Sequence, residues 1–393
     1  MCDERLAVAD RIDTVPPILR QSTRGSCRIG ASQGQCSSQA RSCQRRRDDG
    51  FLPVISNRIG GRDGFEPLDE LLARHGLAGA PEEPFPNDGW SGASLARVRD
   101  AVGRPYILKR DSLKQNWIAR ATNDTFLRES WFAVDGPALP WPVRNPALGA
   151  GATSVAHEVA ILMPDLSDVL FDWNLPLSLE KLDIVLAGLA ILHHGDPPAD
   201  DIQEWTGWED RITLISRPSL ERPGPARDAV ADRLLPGWDA WDRNATGAAR
   251  AIIDELSGNV EPLLDALVAE PSSLIHGDLK LANAGLAADG ALELVDWQMV
   301  TVGPVAIELG WFLVANVNAL PLPPDEVLDR YWALRNLSPG IQNDLAILIG
   351  LLLRGWRKGL DAEAGITLAS GVSAADDLAW WCKRAVEAAD RIL

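Results

Sequence analysis

Positive charge is in short supply. The 393-residue chain sets 38 Lys and Arg against 55 Asp and Glu, for a formal net charge of −17. A general nucleic-acid binder needs a basic footprint for the phosphate backbone, so nucleic acid is not an expected partner. Long apolar runs are missing as well. The nearest approach to one, LAILIGLLL at 345–353, stops at Arg354, well short of the ~20 residues of a membrane span. No membrane association is expected. The five cysteines form no framework: Cys27, Cys36 and Cys43 cluster without a spaced partner set, and Cys382 sits in a helical pattern as a buried thiol. A cytoplasmic location follows as the default, and the opening MCDERLAVAD, with acids ahead of any apolar stretch, is unlike a secretory signal. There is no Gly-Lys-Ser/Thr after a glycine loop, so a Walker A site is excluded. Tyrosine (2) and phenylalanine (7) are outnumbered by 15 tryptophans, but these are too dispersed to form one stacking platform.

What is present divides unevenly. Residues 1–60 are atypical: from Arg20 to Arg47 there are seven Arg and no Asp, Glu or Lys, among Ser, Gln and Gly without periodicity. Such a stretch has too little apolar surface to offset chain ordering, and disorder is expected. A folded start is expected near Phe65, with a short helix in PLDELLARHGL at 67–77. In GWSGASLARVRD, the Gly89, Ser91 and Gly92 turn leads into an alternating strand. Glycine lets backbone N–H groups in such a turn approach phosphate oxygens, although an ordinary hairpin turn has the same sequence. Lys109 ends the next β-prone run, PYILKR at 105–110. NDTFLRESWFAV at 123–134 predicts a helix capped by Asn123 or Asp124, with Glu129 in its interior. VAHEVAILMPDLS holds an apolar strand, a second acid (Glu158) and an abrupt polar turn at 162–165.

Beyond that turn the pattern is helical. LSLEKLDIVLAGLAILHH at 177–194 puts Leu179, Leu182, Leu186 and Leu189 on one face. Trp205, Trp208, Trp238 and Trp241 stand near acids; they either pack the core or line a pocket where flat rings meet a sugar face or a cation. Segment 247–269 reads as helix despite Pro262, and three further helices are expected at about 325–335, 341–358 and 374–391.

The stretch LIHGDLKLANAGLAADGALELVDWQ, Leu274 to Gln298, carries the chemistry. It supplies His276-Gly277-Asp278, Asn283 five residues later, and Asp296 at the end of a short apolar strand. Two carboxylates and an amide held on a rigid hairpin are what a magnesium-dependent phosphoryl transferase needs: one Asp for the acceptor hydroxyl, the Asn oxygen and second Asp for metal on the nucleotide phosphates. An earlier His194-Gly195-Asp196 has Asp201, not Asn, at the corresponding spacing and reads as a helix end.

HGDLKLAN followed by VDWQ resembles the catalytic and metal-binding segments of the aminoglycoside phosphotransferase and choline kinase-like group, small-molecule relatives of protein kinases. The resemblance implies an α+β, two-lobed protein-kinase-like fold: a small β-sheet lobe at 65–165, a hinge at 162–165, and a mainly helical lobe at 166–393. It makes Asp278 the catalytic base, His276 the residue opening the catalytic loop, and Asn283 and Asp296 the Mg2+ ligands. It places Lys109 on the nucleotide phosphates with Glu129 as its partner (Glu158 is the other candidate). It puts Leu162, Met163 and Pro164 at the adenine, and assigns Glu308 in GPVAIELGWFLVANV to bracing the catalytic loop. Asp165, Asp168, Trp205 and Trp208 are candidate acceptor contacts. ATP and Mg2+ are the implied cofactors, and the implied reaction moves the γ-phosphoryl group to a hydroxyl of an amino sugar, sugar or amino alcohol. The alternative is a catalytically silent nucleotide-binding or scaffold protein of the same fold. An acidic floor beside Asp278 is the feature that would favour a cationic acceptor.

Overall fold

The computed structural model describes residues 64–87, 89–195, 197–198 and 204–393. All of these fall in one unit, Ser56–Leu393. The atypical first 60 residues and Asp196 and Asp201 of the second His-Gly-Asp site lie outside the described residues. In chain order the strands are β1 (Glu66–Pro67), β2 (Glu83–Phe85), β3 (Ser94–Arg99), β4 (Pro105–Ser112), β5 (Val143–Arg144), β6 (Gly149–Ala152) and β7 (Glu158–Pro164). After the connection to the helical region come β8 (Ser272–Ile275), β9 (Ala284–Leu286), β10 (Leu292–Leu294) and β11 (Thr301–Pro304). The helices are α1 (Leu68–Arg74), α2 (Trp117–Ala121), α3 (Arg128–Asp135), α4 (Leu179–Leu192), α5 (Trp208–Thr213), α6 (Arg217–Glu221) and α7 (Pro225–Asn244). They continue with α8 (Gly247–Gly258), α9 (Glu261–Val268), α10 (Val305–Ala315), α11 (Pro324–Arg335), α12 (Gln342–Ala364) and α13 (Ala374–Ile392).

Period-two alternation builds the small lobe. Six strands form one sheet in the order β1-β6-β7-β4-β3-β2. One face of its central strands carries Leu108, Ala160 and Leu162, which pack with Leu71, Leu77 and Val98 under α1. The opposite face carries Val159, Ile161 and Met163. Lys109 is paired directly with Ile161 across β4 and β7, so it projects on this second face.

The large lobe is helical around one continuous apolar core. Helix α12 lies at its centre, against α7, α10 and α13, with Leu345 through Leu353 buried. Helix α3 ties the lobes together, because Trp131 and Phe132 belong to the large core and Phe132 stacks on Trp297 with ring centroids 4.5 Å apart. A three-stranded sheet, β5-β10-β9, joins a strand that precedes the 162–165 turn to the hairpin that follows Asp278. Val143 pairs with Leu292.

Several local expectations are revised. Helix α3 begins at Arg128 rather than 123: Asp124 Oδ1 and Oδ2 accept the N–H groups of Phe126 and Arg128, and Glu129 falls in the first turn. Leu179 is exposed, and the buried face of α4 is Leu182, Val185, Leu186 and Leu189. Segment 247–269 is two helices broken at Asn259–Val260, with Pro262 in the first turn of the second, where its missing N–H has no helical partner to lose. Helix α12 runs on to Ala364, kinked at Arg354, and ends at Gly365 in the left-handed region. No helix among the described residues is long and apolar enough to cross a membrane.

Candidate active site

The loop after β8 is shaped by one glycine and one buried acid. Gly277 has φ +78, and a Cβ there would meet the Met299 carbonyl oxygen at 2.0 Å. Only glycine fits that contact. Glu308, fully buried near the start of α10, accepts the N–H groups of His276 (2.6 Å), Gly277 (3.1 Å) and Leu279 (3.3 Å). Burial pushes its carboxyl up from the ordinary Glu range, against His276 and these three donors. Asn316, from the end of the same helix, accepts the Leu281 N–H at 2.7 Å. His276 bonds the Val295 carbonyl through Nε2 at 2.9 Å and packs on Trp297 with centroids 4.4 Å apart. Desolvation in this pocket holds the imidazole below its usual pKa despite Glu308. His276 is therefore a buried spacer between the loop and the β10 end.

Asp278 and Asn283 face one another across this loop. The Asn283 Nδ2 donates to the Asp278 backbone oxygen at 2.9 Å and to its Oδ2 at 3.3 Å, which leaves Asn283 Oδ1 for another partner. Lys280 Nζ lies 3.7 Å from Asp278 Oδ2. Burial raises the Asp278 pKa, with Lys280 opposing and Asp296 adding to the rise. A carboxylate raised in this way is a better proton acceptor than a solvated Asp.

Asp296 sits in the left-handed region (φ 68, ψ 54), a conformation that Asp tolerates better than most residues. Lys109 Nζ donates to Asp296 Oδ1 at 2.7 Å and to Glu129 Oε2 at 2.6 Å. The two carboxylates respond differently to sharing one ammonium. Burial pushes Glu129 up to about 7 against the pull of Lys109. For Asp296 burial works in the same direction, but Lys109 and Lys280 outweigh it and hold the group at about 2. Lys109 loses solvation too, yet the two acids hold its pKa above the normal lysine value. Glu158, the other candidate partner, bonds Thr153 instead.

The remaining residues singled out in the sequence fall into different places. Met163 turns toward the face shared with Lys109, whereas Leu162 is packed into the opposite core and offers only its backbone there. Alternation along β7 requires this split. Gly89 N–H is held by Asn87 Oδ1 at 2.8 Å, and Ser91 Oγ by the Ala93 N–H at 3.4 Å, so both stabilise the turn itself. Gly92 takes φ +93 close to the Gln115 carbonyl. Asp165 is ion-paired to Arg97 at 2.7 Å; burial favours its neutral form, but Ser167 and Arg97 hold its pKa below the normal Asp value. Trp238 and Trp241 are core. Trp208 donates to the Val302 carbonyl at 2.9 Å, and Trp205 packs edge-on against Trp131.

Sequence inspection missed Arg211. It is buried, donates through Nε to the Gly277 carbonyl and lies over Trp311 at 4.5 Å. No local motif marks it, since α5 reaches the loop only through folding.

Lys109 on a sheet, Asp278 and Asn283 on a braced loop, and Asp296 after a hairpin, gathered between a sheet lobe and a helical lobe, define a kinase-like two-lobed protein. The phosphotransferase enzyme family model matches residues 84–341, and the chain belongs to that family. Among solved structures, an aminoglycoside phosphotransferase of Alicyclobacillus acidocaldarius is 14% identical, with 81% of this chain and 95% of that one covered and a TM-score of 0.42. A choline/ethanolamine kinase family protein of Mesorhizobium loti is 14% identical, covering 80% and 97%, with a TM-score of 0.42. An aminoglycoside phosphotransferase of Streptomyces rimosus is 16% identical, covering 73% and 97%, with a TM-score of 0.42. No curated protein matches the sequence.

Proposed function

We propose that the protein is an ATP-dependent, Mg2+-dependent small-molecule kinase that phosphorylates an alcohol hydroxyl. The observation that carries this is the Lys109–Asp296 ion pair at 2.7 Å, which joins the sheet lobe to the loop system bearing Asp278 and Asn283. A cation for phosphate and acids for metal and proton then stand at one cleft.

The donor set suits magnesium. Mg2+ takes one or two protein oxygens and completes its shell with water and nucleotide phosphates. Asn283 Oδ1, turned away from its Nδ2 bonds to Asp278, and the Asp296 carboxylate would hold it; bound there, the ion would neutralise charge on the phosphates. Lys109 adds a second cation, and Glu129 fixes the Lys109 stem. Met163 and the backbone at Leu162 would meet the adenine. Asp278 aligns the acceptor hydroxyl and takes its proton as the hydroxyl oxygen bonds the γ-phosphorus and the bond to the β,γ-bridging oxygen breaks, releasing ADP. His276, Glu308 and Arg211 hold the loop.

The test is Asp278→Ala. Turnover of ATP with a responsive acceptor should fall by at least about a thousandfold, while ADP affinity in the presence of Mg2+ changes less than about threefold. Turnover comparable to wild type would refute the assignment. A silent nucleotide-binding protein is the other outcome, shown by Mg2+-dependent ADP binding with no acceptor-stimulated turnover.

A further inference from the structure

Beside Asp278 the structure has a wall of cations and indoles that the donor half of the reaction does not use. Lys280 stands 3.7 Å from the Asp278 carboxylate. The Arg211 guanidinium lies over one side of Trp311 at 4.5 Å. Arg354, at the kink of α12, lies 5.8 Å from the same ring and 5.4 Å from Trp356. Trp356 in turn meets Trp90 of the glycine turn, with centroids 6.5 Å apart, which carries the wall up to the small lobe. Asp278 is the leading charge acting on Lys280 and Arg211, and Arg354 feels it after Asp361.

Three donors on this wall have nothing to bond. Arg211 Nη2, Trp311 Nε1 and Arg354 Nε are buried and lack a hydrogen-bond partner among the described residues. Arg211 is only 2% exposed. A buried guanidinium N–H without an acceptor is costly and calls for an oxygen. Of the acids nearby, Glu308 holds the loop backbone, and Asp361 on α12 is paired with Arg357 at 2.7 Å through Oδ1 while its buried Oδ2 lacks a hydrogen-bond partner among the described residues.

We infer that the acceptor is an anion: a hydroxyl compound carrying a carboxylate or phosphate, whose acid group is received by Arg354 and Arg211 while its hydroxyl faces Asp278. The inference rests on the kinase reading above and narrows its acceptor class. Planar guanidinium groups suit oxyanions by bidentate geometry, and the flanking indole faces keep each cation oriented. Burial lowers Arg354 to about 10, with Arg357 adding to the effect, so it remains a cation at neutral pH. An aminoglycoside or a choline-like amine would meet three like charges here, which outnumber the carboxylates of Asp278 and Asp361 that act on Arg354.

The experiment compares glucose, glucosamine, glucuronate and glucose 6-phosphate on the full chain. Two readouts are used: ADP release from Mg-ATP, and quenching of tryptophan fluorescence in protein saturated with Mg-ADP. Glucuronate or glucose 6-phosphate should exceed glucose in kcat/KM by at least tenfold, with glucosamine below glucose; which acid wins separates a carboxylate site from a phosphate site. Arg354→Gln should collapse the acid-to-neutral ratio toward one, mainly through KM, with the Mg-ADP affinity unchanged. Equal use of glucose and the acids, a preference for glucosamine, or no binding of either acid would overturn the inference and leave the kinase reading standing. Failure of the wild-type protein to bind Mg-ADP would overturn the kinase reading and this inference with it.

Discussion

Lys109→Met separates the electrostatic and chemical roles of the cleft. In the native protein both Glu129 and Asp296 lie within 2.7 Å of one nitrogen, with side chains only 9% and 20% exposed. Methionine keeps most of the stem's volume and removes the charge. The two carboxylates are then left facing each other at no more than about 5.5 Å, where like charges repel by about 3 kcal/mol at an effective dielectric near 20. That agrees with the loss of about 3–5 kcal/mol found when one partner of a buried pair is removed.

This loss should depend on pH, because Glu129 has an escape. Its pKa is already raised to about 7 by burial against the pull of Lys109, and removing the ammonium drives it further up. The folded variant thus binds more protons than its unfolded chain, so stability is greatest at low pH and declines as pH rises through the raised value. Urea unfolding followed by tryptophan fluorescence should show a deficit of about 3 kcal/mol at pH 8, and a clearly smaller one at pH 5.5. Lys109→Met/Glu129→Gln should recover most of the stability and none of the turnover. A deficit that is equal at both pH values, or a double variant as unstable as the single one, would refute the shared-ammonium account.

Four further outcomes follow from the same geometry. Gly277→Ala should destabilise the fold by about 2–5 kcal/mol in thermal or urea unfolding, since both the left-handed backbone and the contact with the Met299 carbonyl oppose a Cβ. Glu308→Gln keeps an oxygen for His276 and Gly277 but turns an N–H toward the Leu279 N–H; a loss of about 1–3 kcal/mol should accompany a fall in kcat, whereas wild-type values for both would exclude the brace. The kcat/KM profile should have an acid limb above the ordinary Asp range because burial raises Asp278, and Lys280→Met, which removes the main opposing charge, should move that limb to higher pH. EDTA should abolish ADP release, and excess Mg2+ should restore it in wild type but far less in Asp296→Asn, as measured by coupled ADP assay.

The proposed donor half of the site is legible in the sequence because its residues are local. Asp278, Asn283 and Asp296 lie within nineteen positions in one loop and hairpin, so fixed spacing translates directly into fixed placement. Lys109 and Glu129 needed the resemblance, since only the fold brings β4, α3 and the hairpin together. The capping types Asn123 and Asp124 predict too early a start for the helix around Glu129; the chain instead takes two left-handed residues, Asn123 and Leu127, before α3 begins. The tryptophans misled in the opposite sense. Trp238 and Trp241, read as core or pocket, are core, and the indoles that carry Arg211 and Arg354, Trp311 and Trp356, lie in helices whose apolar stripes conceal them.

Helix α10 supplies a physical reason for the two halves to act together. Glu308 and Trp311 are three residues apart on it and therefore share a face. One holds the N–H groups of the Asp278 loop; the other carries Arg211 and Arg354 on its ring. Arg211 closes the circuit by bonding the Gly277 carbonyl. An oxyanion drawn to Arg211 would thus pull on the carbonyl of the same glycine whose N–H is fixed by Glu308. Acceptor binding would then be felt at the Asp278 loop through one residue of backbone, a much shorter path than any route through the lobe interface.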